Sequence, residues 1–267
     1  MLRIAVLGAT GRMGGAVTRV VSAADEAKIV GACTEPGHAD VGRDVGELAG
    51  VGALGVTITD DISTALTAAD VAIDFTLPAA VAGNLVACVA KGCALVMGTT
   101  GLEAQQQSML KDKSSLIPIL YGRNLSVGVN VFTELTRLAA RYLGPDWEVE
   151  IIEAHHRHKL DAPSGTALQL GEAVAAERGV KLDDVAVYGR SGQTGERPAD
   201  AIGFNSIRAG NIVGDHSVTL VTDNEIVELT HHAVDRELFA SGALRAAHWL
   251  SNRSAGLYSM RDVLGFE

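Results

Sequence analysis

The segment Gly8-Ala9-Thr10-Gly11-Arg12-Met13-Gly14 constrains the fold of this chain more than any other stretch. It follows directly on the apolar run Arg3-Ile4-Ala5-Val6-Leu7 and leads into a helical pattern that extends to about Ala24. A buried strand, a G-x-x-G-x-x-G turn and a helix open a βαβ unit. Small residues in such a turn let backbone N–H groups approach a pyrophosphate, and the helix start adds partial positive charge. The spacing differs from the commoner G-x-G-x-x-G, and a purely structural tight turn is the competing reading. Context favours a nucleotide. Glu35 closes the next strand, Lys28 to Cys33, about twenty residues after Gly14, where an acid accepts hydrogen bonds from ribose hydroxyls.

The alternation continues with strands at Val71–Phe75, Ala94–Met97 and Ile117–Tyr121, and a helix after Pro78. Pro36-Gly37 opens a loop-rich stretch that reaches roughly to Asp61. Gly98-Thr99-Thr100-Gly101 and Gly122-Arg123-Asn124-Leu125 each stand just after a strand. Ligands of open parallel sheets sit outside the carboxyl ends of the strands, so these loops and the first turn converge on one crevice suited to a nicotinamide cofactor. Beyond Asn124-Leu125-Ser126 the pattern changes. A helix covers about Val129–Leu143 and a strand Glu148–Ala154. Strand-like segments follow at Phe204–Ala209, Ser217–Thr222 and Ile226–His231, with turns that suit antiparallel hairpins. Arg236 to Trp249 is helical and returns to the first domain. The expectation is an α/β chain with a Rossmann-type parallel-sheet domain, residues 1–125 and 236–267. A smaller α+β substrate and oligomerisation domain, 126–235, would carry a mixed, largely antiparallel sheet.

Composition removes several classes of function. The 267 residues carry 32 acidic and 22 basic side chains, a formal net charge of −10, and only 4% aromatics. Such a chain lacks the basic face and stacking platforms of a nucleic-acid binder. No apolar run approaches the ~18–20 residues that span a bilayer. The apolar stretch ending at Leu7 is too short for a signal-peptide core. Cys33, Cys88 and Cys93 show no C-x-x-C spacing and read as buried free thiols, which points to the reducing cytoplasm.

Against that acidic background, Glu153-Ala154-His155-His156-Arg157-His158-Lys159-Leu160-Asp161-Ala162-Pro163-Ser164-Gly165-Thr166-Ala167 concentrates positive charge, with three of the chain's eight histidines. A solvated charged loop is one reading of such a run. Zinc is another, but adjacent histidines diverge and no Cys or carboxylate spacing completes a tetrahedral set, so no metal is expected. The third reading is an anion-binding acid/base cluster. Histidine exchanges protons near neutrality and Lys159 adds charge or a second acid. Ser164-Gly165-Thr166 opens a helix whose N–H groups and hydroxyls suit a carboxylate.

With these motifs the chain resembles dihydrodipicolinate reductase, now 4-hydroxy-tetrahydrodipicolinate reductase, of bacterial and plant lysine biosynthesis. The likeness runs over essentially the whole chain. It rests on Gly8–Gly14, Asp74-Phe75-Thr76, Gly98–Gly101, Asn124-Leu125-Ser126-Val127-Gly128-Val129-Asn130, the Glu153–Ala167 segment and Met260-Arg261-Asp262-Val263-Leu264. The resemblance implies reduction of a cyclic unsaturated dicarboxylate to tetrahydrodipicolinate, with hydride from NADH or NADPH. It makes His155 the proton donor and acceptor and Lys159 the second acid. His156, Gly165 and Thr166, with Lys159, would hold substrate carboxylate, as would Ser164 at the helix start and Arg236. Cofactor contacts fall on Gly8, Ala9, Thr10, Gly11, Arg12 and Met13, on Glu35, on Gly98, Thr99 and Thr100, and on Gly122, Arg123, Asn124 and Leu125. It also implies a homotetramer joined through the sheet of the second domain.

Two departures from the family pattern bear on the cofactor. Pro36 stands where dual-cofactor members carry an arginine for the 2′-phosphate of NADPH, and Glu35 repels a phosphate, so NADH is favoured. Arg123 stands where the family more often has small residues, and offers an extra phosphate or substrate contact that weakens that preference. A non-catalytic NAD(H)-binding sensor is an alternative, although it gains little from two proton donors. Other two-domain amino-acid or hydroxy-acid dehydrogenases share the glycine turn but not the Glu153–Ala167 segment.

Overall fold

The computed structural model describes residues 1–266, and the chain divides into two compact units, Met1–Val127 with the segment from Arg236 onward, and Gly128–Asp235. Twelve strands run in chain order: β1 (Leu2–Leu7), β2 (Ala27–Cys33), β3 (Ile58–Thr59), β4 (Val71–Asp74), β5 (Ala94–Met97), β6 (Pro118–Tyr121), β7 (Glu148–His155), β8 (Ala186–Tyr188), β9 (Ile202–Arg208), β10 (Gly214–Val221), β11 (Ile226–Ala233) and β12 (Gly256–Tyr258).

The first unit holds a seven-stranded sheet in the order β12-β6-β5-β4-β1-β2-β3, with every pairing parallel. The short apolar runs are strands because both faces of the sheet are covered, and the central β4 and β5 are buried at every position. Ile4 and Val6 face a core shared with helices Arg12–Ser22 and Glu237–Leu250. Ala5 and Leu7 face the opposite core, shared with helices Val81–Lys91 and Ala104–Lys113. The returning segment completes the unit, since Glu237–Leu250 lies under β4, β5 and β6 while β12 extends the sheet beside β6. The stretch after Pro36 is not wholly loop. A short helix, Val45–Ala49, forms there because Asp44 accepts the N–H groups of Gly46, Glu47, Leu54 and Val56 at 2.8–3.1 Å.

The second unit is a five-stranded mixed sheet in the order β11-β10-β7-β9-β8. β10 pairs antiparallel with β11 and β7, whereas β7–β9 and β8–β9 are parallel. The expected hairpin between the 202–208 and 214–221 segments is absent because β7 lies between them; only β10–β11 is a hairpin. β7 alternates strictly, with Val149, Ile151, Glu153 and His155 facing inward. Its inward apolar residues pack with Phe132, Leu170, Val174, Phe204, Val218 and Leu220. Among the described residues no helix is long and apolar enough to cross a membrane.

Candidate active site

The first unit's glycine turn works through two close approaches. Gly8 adopts φ +77°, and Gly8 and Ala9 both donate their N–H groups to Cys33 O at 2.9 Å, which ties the turn to the end of β2. A Cβ at Gly14 would lie 2.2 Å from Gly8 O, so only glycine lets the helix start so near the strand end. With those two N–H groups used in the sheet, the donors left for an anion are at the helix N-terminus. Gly11 is the N-cap, no side chain caps it, and the first turn contains no acid. Thr10 Oγ1 meets Thr34 Oγ1 at 2.7 Å, and Thr34 Oγ1 donates to Glu35 Oε2 at 3.2 Å, so the turn is coupled to the acid beyond β2. The Glu35 side chain is 71% exposed and can reach a ligand.

A cavity of about 320 Å³ lies beside this helix start. From the expected set, Arg12, Met13, Gly98, Thr99 and Thr100 line it. Arg123, Asn124, Leu125 and Arg236 complete that group, while Gly8, Ala9, Gly11 and Gly122 shape the backbone around it. Arg236 was expected at the substrate, and the structure puts it on the wall of this cavity in the first unit. Phe75, Thr76 and Phe239 also line the cavity and were not among the expected contacts. The Phe75–Thr76 loop is organised by Asp74, which is fully buried at the end of β4 and accepts from Thr76 N (2.8 Å), Thr76 Oγ1 (2.7 Å) and Asn84 Nδ2 (2.9 Å). Thr99 Oγ1 reaches the same carboxylate at 3.4 Å, so one acid links two of the loops. An uncapped helix start, a backbone cradle that a Cβ would fill and an exposed ribose-ready acid fit a dinucleotide.

In the second unit the basic segment separates into parts with different work. His155 ends β7, buried and facing inward; Arg157, His158 and Leu160 are exposed. His155 Nδ1 lies 2.6 Å from Glu153 Oε2, a contact that follows from two inward positions along one strand. Glu153 is 1% exposed and also accepts from Arg208 Nη1 and Nη2, at 2.8 and 2.7 Å, and from Ser164 N at 3.2 Å. Burial alone would raise its pKa. Hydrogen bonds from His155, Arg208 and Ser206, with the charge on His155, outweigh that and hold the carboxyl well below the usual range. Across the sheet His216 stands in register with Glu153 and meets His155 edge-on, with ring centroids 5.1 Å apart.

Lys159 sits in the turn after β7, with Nζ 3.0 Å from Asp161 Oδ1. Ser164 is the N-cap of helix Gly165–Glu177, and its hydroxyl accepts from Ala167 N at 3.1 Å and meets His216 Nε2 at 2.8 Å. That hydroxyl is therefore spent within the fold, and Ser164 serves the site by placing the helix start. The exposed Gly165 and half-buried Thr166 form its first turn, and no acid stands there. The arrangement offers a proton-exchanging imidazole, an ammonium group and a helix N-terminus for an anion.

Residues 2–125 match the family model described as dihydrodipicolinate reductase, N-terminus, and residues 128–264 match the one described as its C-terminus. The chain belongs to the dihydrodipicolinate reductase family. It is 53% identical over 263 residues to the 4-hydroxy-tetrahydrodipicolinate reductase of Alkalilimnicola ehrlichii, covering 98% of each chain. Its identity to the enzyme of that name from Pseudomonas fluorescens Pf-5 is 50% over 265 residues, 99% of each. In fold it is similar to the dipicolinate-bound dihydrodipicolinate reductase of Paenisporosarcina sp. TG-14, with a TM-score of 0.75 at 22% identity over 97% of both chains. The Mycobacterium smegmatis amine dehydrogenase shares the fold more loosely, with a TM-score of 0.63 at 17% identity over 96% of this chain and 94% of that one. A dihydrodipicolinate reductase with a Rossmann-type sheet implies a nicotinamide cofactor. Sequence reading missed Glu153, Arg208, Gly214 and His216 as the neighbours of His155 and of its partner carboxylate. Register alone brings the last three to β7, and no local pattern signals it.

Proposed function

We propose that this chain reduces 4-hydroxy-tetrahydrodipicolinate to tetrahydrodipicolinate, with NADH preferred to NADPH and His155 and Lys159 managing the proton. The observation that carries this reading is the pairing of buried His155 with Glu153, next to Lys159 and the Ser164-capped helix start. The nicotinamide, when bound, supplies a hydride. Gly8–Met13, Glu35, Gly98–Thr100 and the Gly122–Leu125 loop are the residues to hold the dinucleotide, with Arg12, Arg123 and Arg236 adding positive charge around the cavity. The first-turn N–H groups at Gly165 and Thr166, with His156 and Lys159, are the residues to hold a substrate carboxylate.

Reduction of a conjugated imine leaves carbanion character on a neighbouring carbon, which must receive a proton. His155 delivers that proton and Lys159 stabilises the negative charge before it arrives. Two observations support the NADH preference. Pro36 places no cation after Glu35, and the nearby Arg43 lies against Asp40 at 2.5 Å while His38 sits between Asp40 at 3.6 Å and Glu35 at 4.0 Å.

The outer face of the five-stranded sheet exposes Ile152 and Ile207, which supports a homotetramer joined through that sheet. The free, buried Cys33, Cys88 and Cys93 suit a reducing cytoplasm, and burial pushes the Cys33 thiol up to about 11.

The test follows NADH absorbance while a synthase generates the substrate from pyruvate and aspartate semialdehyde. Turnover is expected, and His155→Ala and Lys159→Ala each cut kcat by about 10²-fold or more while the dinucleotide still binds. Wild-type kcat in both variants removes these residues from the mechanism. A kcat/KM higher with NADPH than with NADH overturns the cofactor assignment.

A further inference from the structure

His155 has two ring nitrogens, and they meet different surroundings. Nδ1 faces Glu153 Oε2 at 2.6 Å. Nε2 faces the main chain of β10 at Gly214, where a built Cβ would lie 3.0 Å from Nε2, 3.4 Å from Cδ2 and 3.8 Å from Cε1. Every side chain larger than hydrogen at position 214 would press on that edge of the ring.

The Glu153 carboxylate is held from three directions: the two Arg208 nitrogens from β9, Ser164 N from the helix cap, and His155 from its own strand. Arg208 is itself fixed, since it donates to Ile207 O at 2.7 Å and Asp161 O at 2.6 Å. An ionised carboxylate accepts hydrogen bonds and cannot donate them, so the ring atom beside it must carry the proton. We propose that Glu153, clamped by Arg208, is a positioning residue for His155. It holds the proton on Nδ1 and leaves Nε2, beside the side-chain-free Gly214, as the nitrogen that exchanges protons with substrate.

The step balances on the ring. The imidazolium carries both N–H protons. The Nε2–H bond breaks as a C–H bond forms on the substrate, and the ring becomes the neutral Nδ1–H tautomer already matched to Glu153. Glu153 stays ionised throughout. A glutamine in its place presents a donor as well as an acceptor, so either tautomer is accommodated and the proton is no longer kept on Nδ1.

The proposal rests on His155 being the proton donor, so the experiment separates the two ideas. In the full-length protein, Glu153→Gln is expected to lower kcat by about 10²–10⁴-fold with dinucleotide Kd unchanged. Gly214→Ala is expected to lower kcat at least about tenfold through contact with Nε2. Imidazole ¹⁵N resonances of the wild-type protein, at a pH where His155 is neutral, are expected to show the Nδ1–H tautomer. That measurement decides the question even where a variant does not fold. A neutral wild-type ring protonated on Nε2, or wild-type kcat in Glu153→Gln, overturns the proposal while His155 remains the donor. Wild-type kcat in His155→Ala overturns the reading beneath it as well.

Discussion

Ser164 Oγ lies 2.8 Å from His216 Nε2 and joins the start of helix Gly165–Glu177 to strand β10. His216 is 4% exposed, and burial, together with the charges of His155, His231 and Lys159, lowers its pKa from 6.5 to about 4 against the opposing pull of Glu153. The ring is therefore neutral in the folded protein at neutral pH. Between pH 6.5 and 4 the unfolded chain takes up a proton that the folded chain refuses, so folding stability falls as pH is lowered through that window. The loss reaches a few kcal/mol at its lower end. Glu153 acts with the same sign, but its contribution is lost only below its ordinary 4.5. His216→Gln keeps a polar partner for Ser164 and does not titrate. Its melting temperature is expected to fall less steeply than the wild type's between pH 6.5 and 4, and equal slopes would count against His216.

The parallel half of this architecture is legible because each strand is a short apolar run ended by glycine, proline or a polar turn. Ala94–Met97 is a strand with the bounds its sequence implies. The second sheet is harder to read for a physical reason. The turn residues before β10 suit a hairpin with β9, but β10 gains more by aligning its inward Val218 and Leu220 with Ile151 and Val149 of β7. The helix Gly165–Glu177 and the segment after it carry the chain back to lay β9 parallel on the other side of β7. The site follows the same division. His155 and Lys159 announce themselves by residue type, whereas Arg208 becomes relevant only because β9 pairs opposite His155.

Gly14 tests the backbone cradle. A methyl group there would sit 2.2 Å from Gly8 O and 2.7 Å from Ala9 Cα, so helix and strand must move apart. Gly14→Ala is expected to destabilise the protein by roughly 1–3 kcal/mol and to weaken dinucleotide binding at least about tenfold. Calorimetry and a fluorescence titration with NADH check both effects. Unchanged affinity would show that the helix start is not the diphosphate site.

Asp74 holds together the loop that lines the cavity. In Asp74→Asn one carboxylate oxygen becomes an N–H₂ donor, which can no longer accept from Thr76 or Asn84. A buried unsatisfied group costs roughly 1–3 kcal/mol, so a lower melting temperature is expected. Because Phe75, Thr76 and Thr99 shift with it, KM for the dinucleotide rises more than kcat falls. A variant that loses kcat alone would place Asp74 in the chemistry instead.

Glu35 tests the cofactor preference from the opposite direction. Its side chain is exposed beyond β2, and it is coupled through Thr34 to Thr10 of the glycine turn. A 2′-phosphate brought against this carboxylate meets like charge, and Pro36 offers no compensating donor. Glu35→Gln removes the repulsion, and Pro36→Arg adds a guanidinium that can grip a phosphate through two N–H groups. The double variant is expected to raise the kcat/KM ratio of NADPH to NADH by about tenfold or more, chiefly through KM for NADPH, since the reacting groups are untouched. A ratio that stays at the wild-type value would move the discrimination away from β2 and toward Arg123 on the cavity wall.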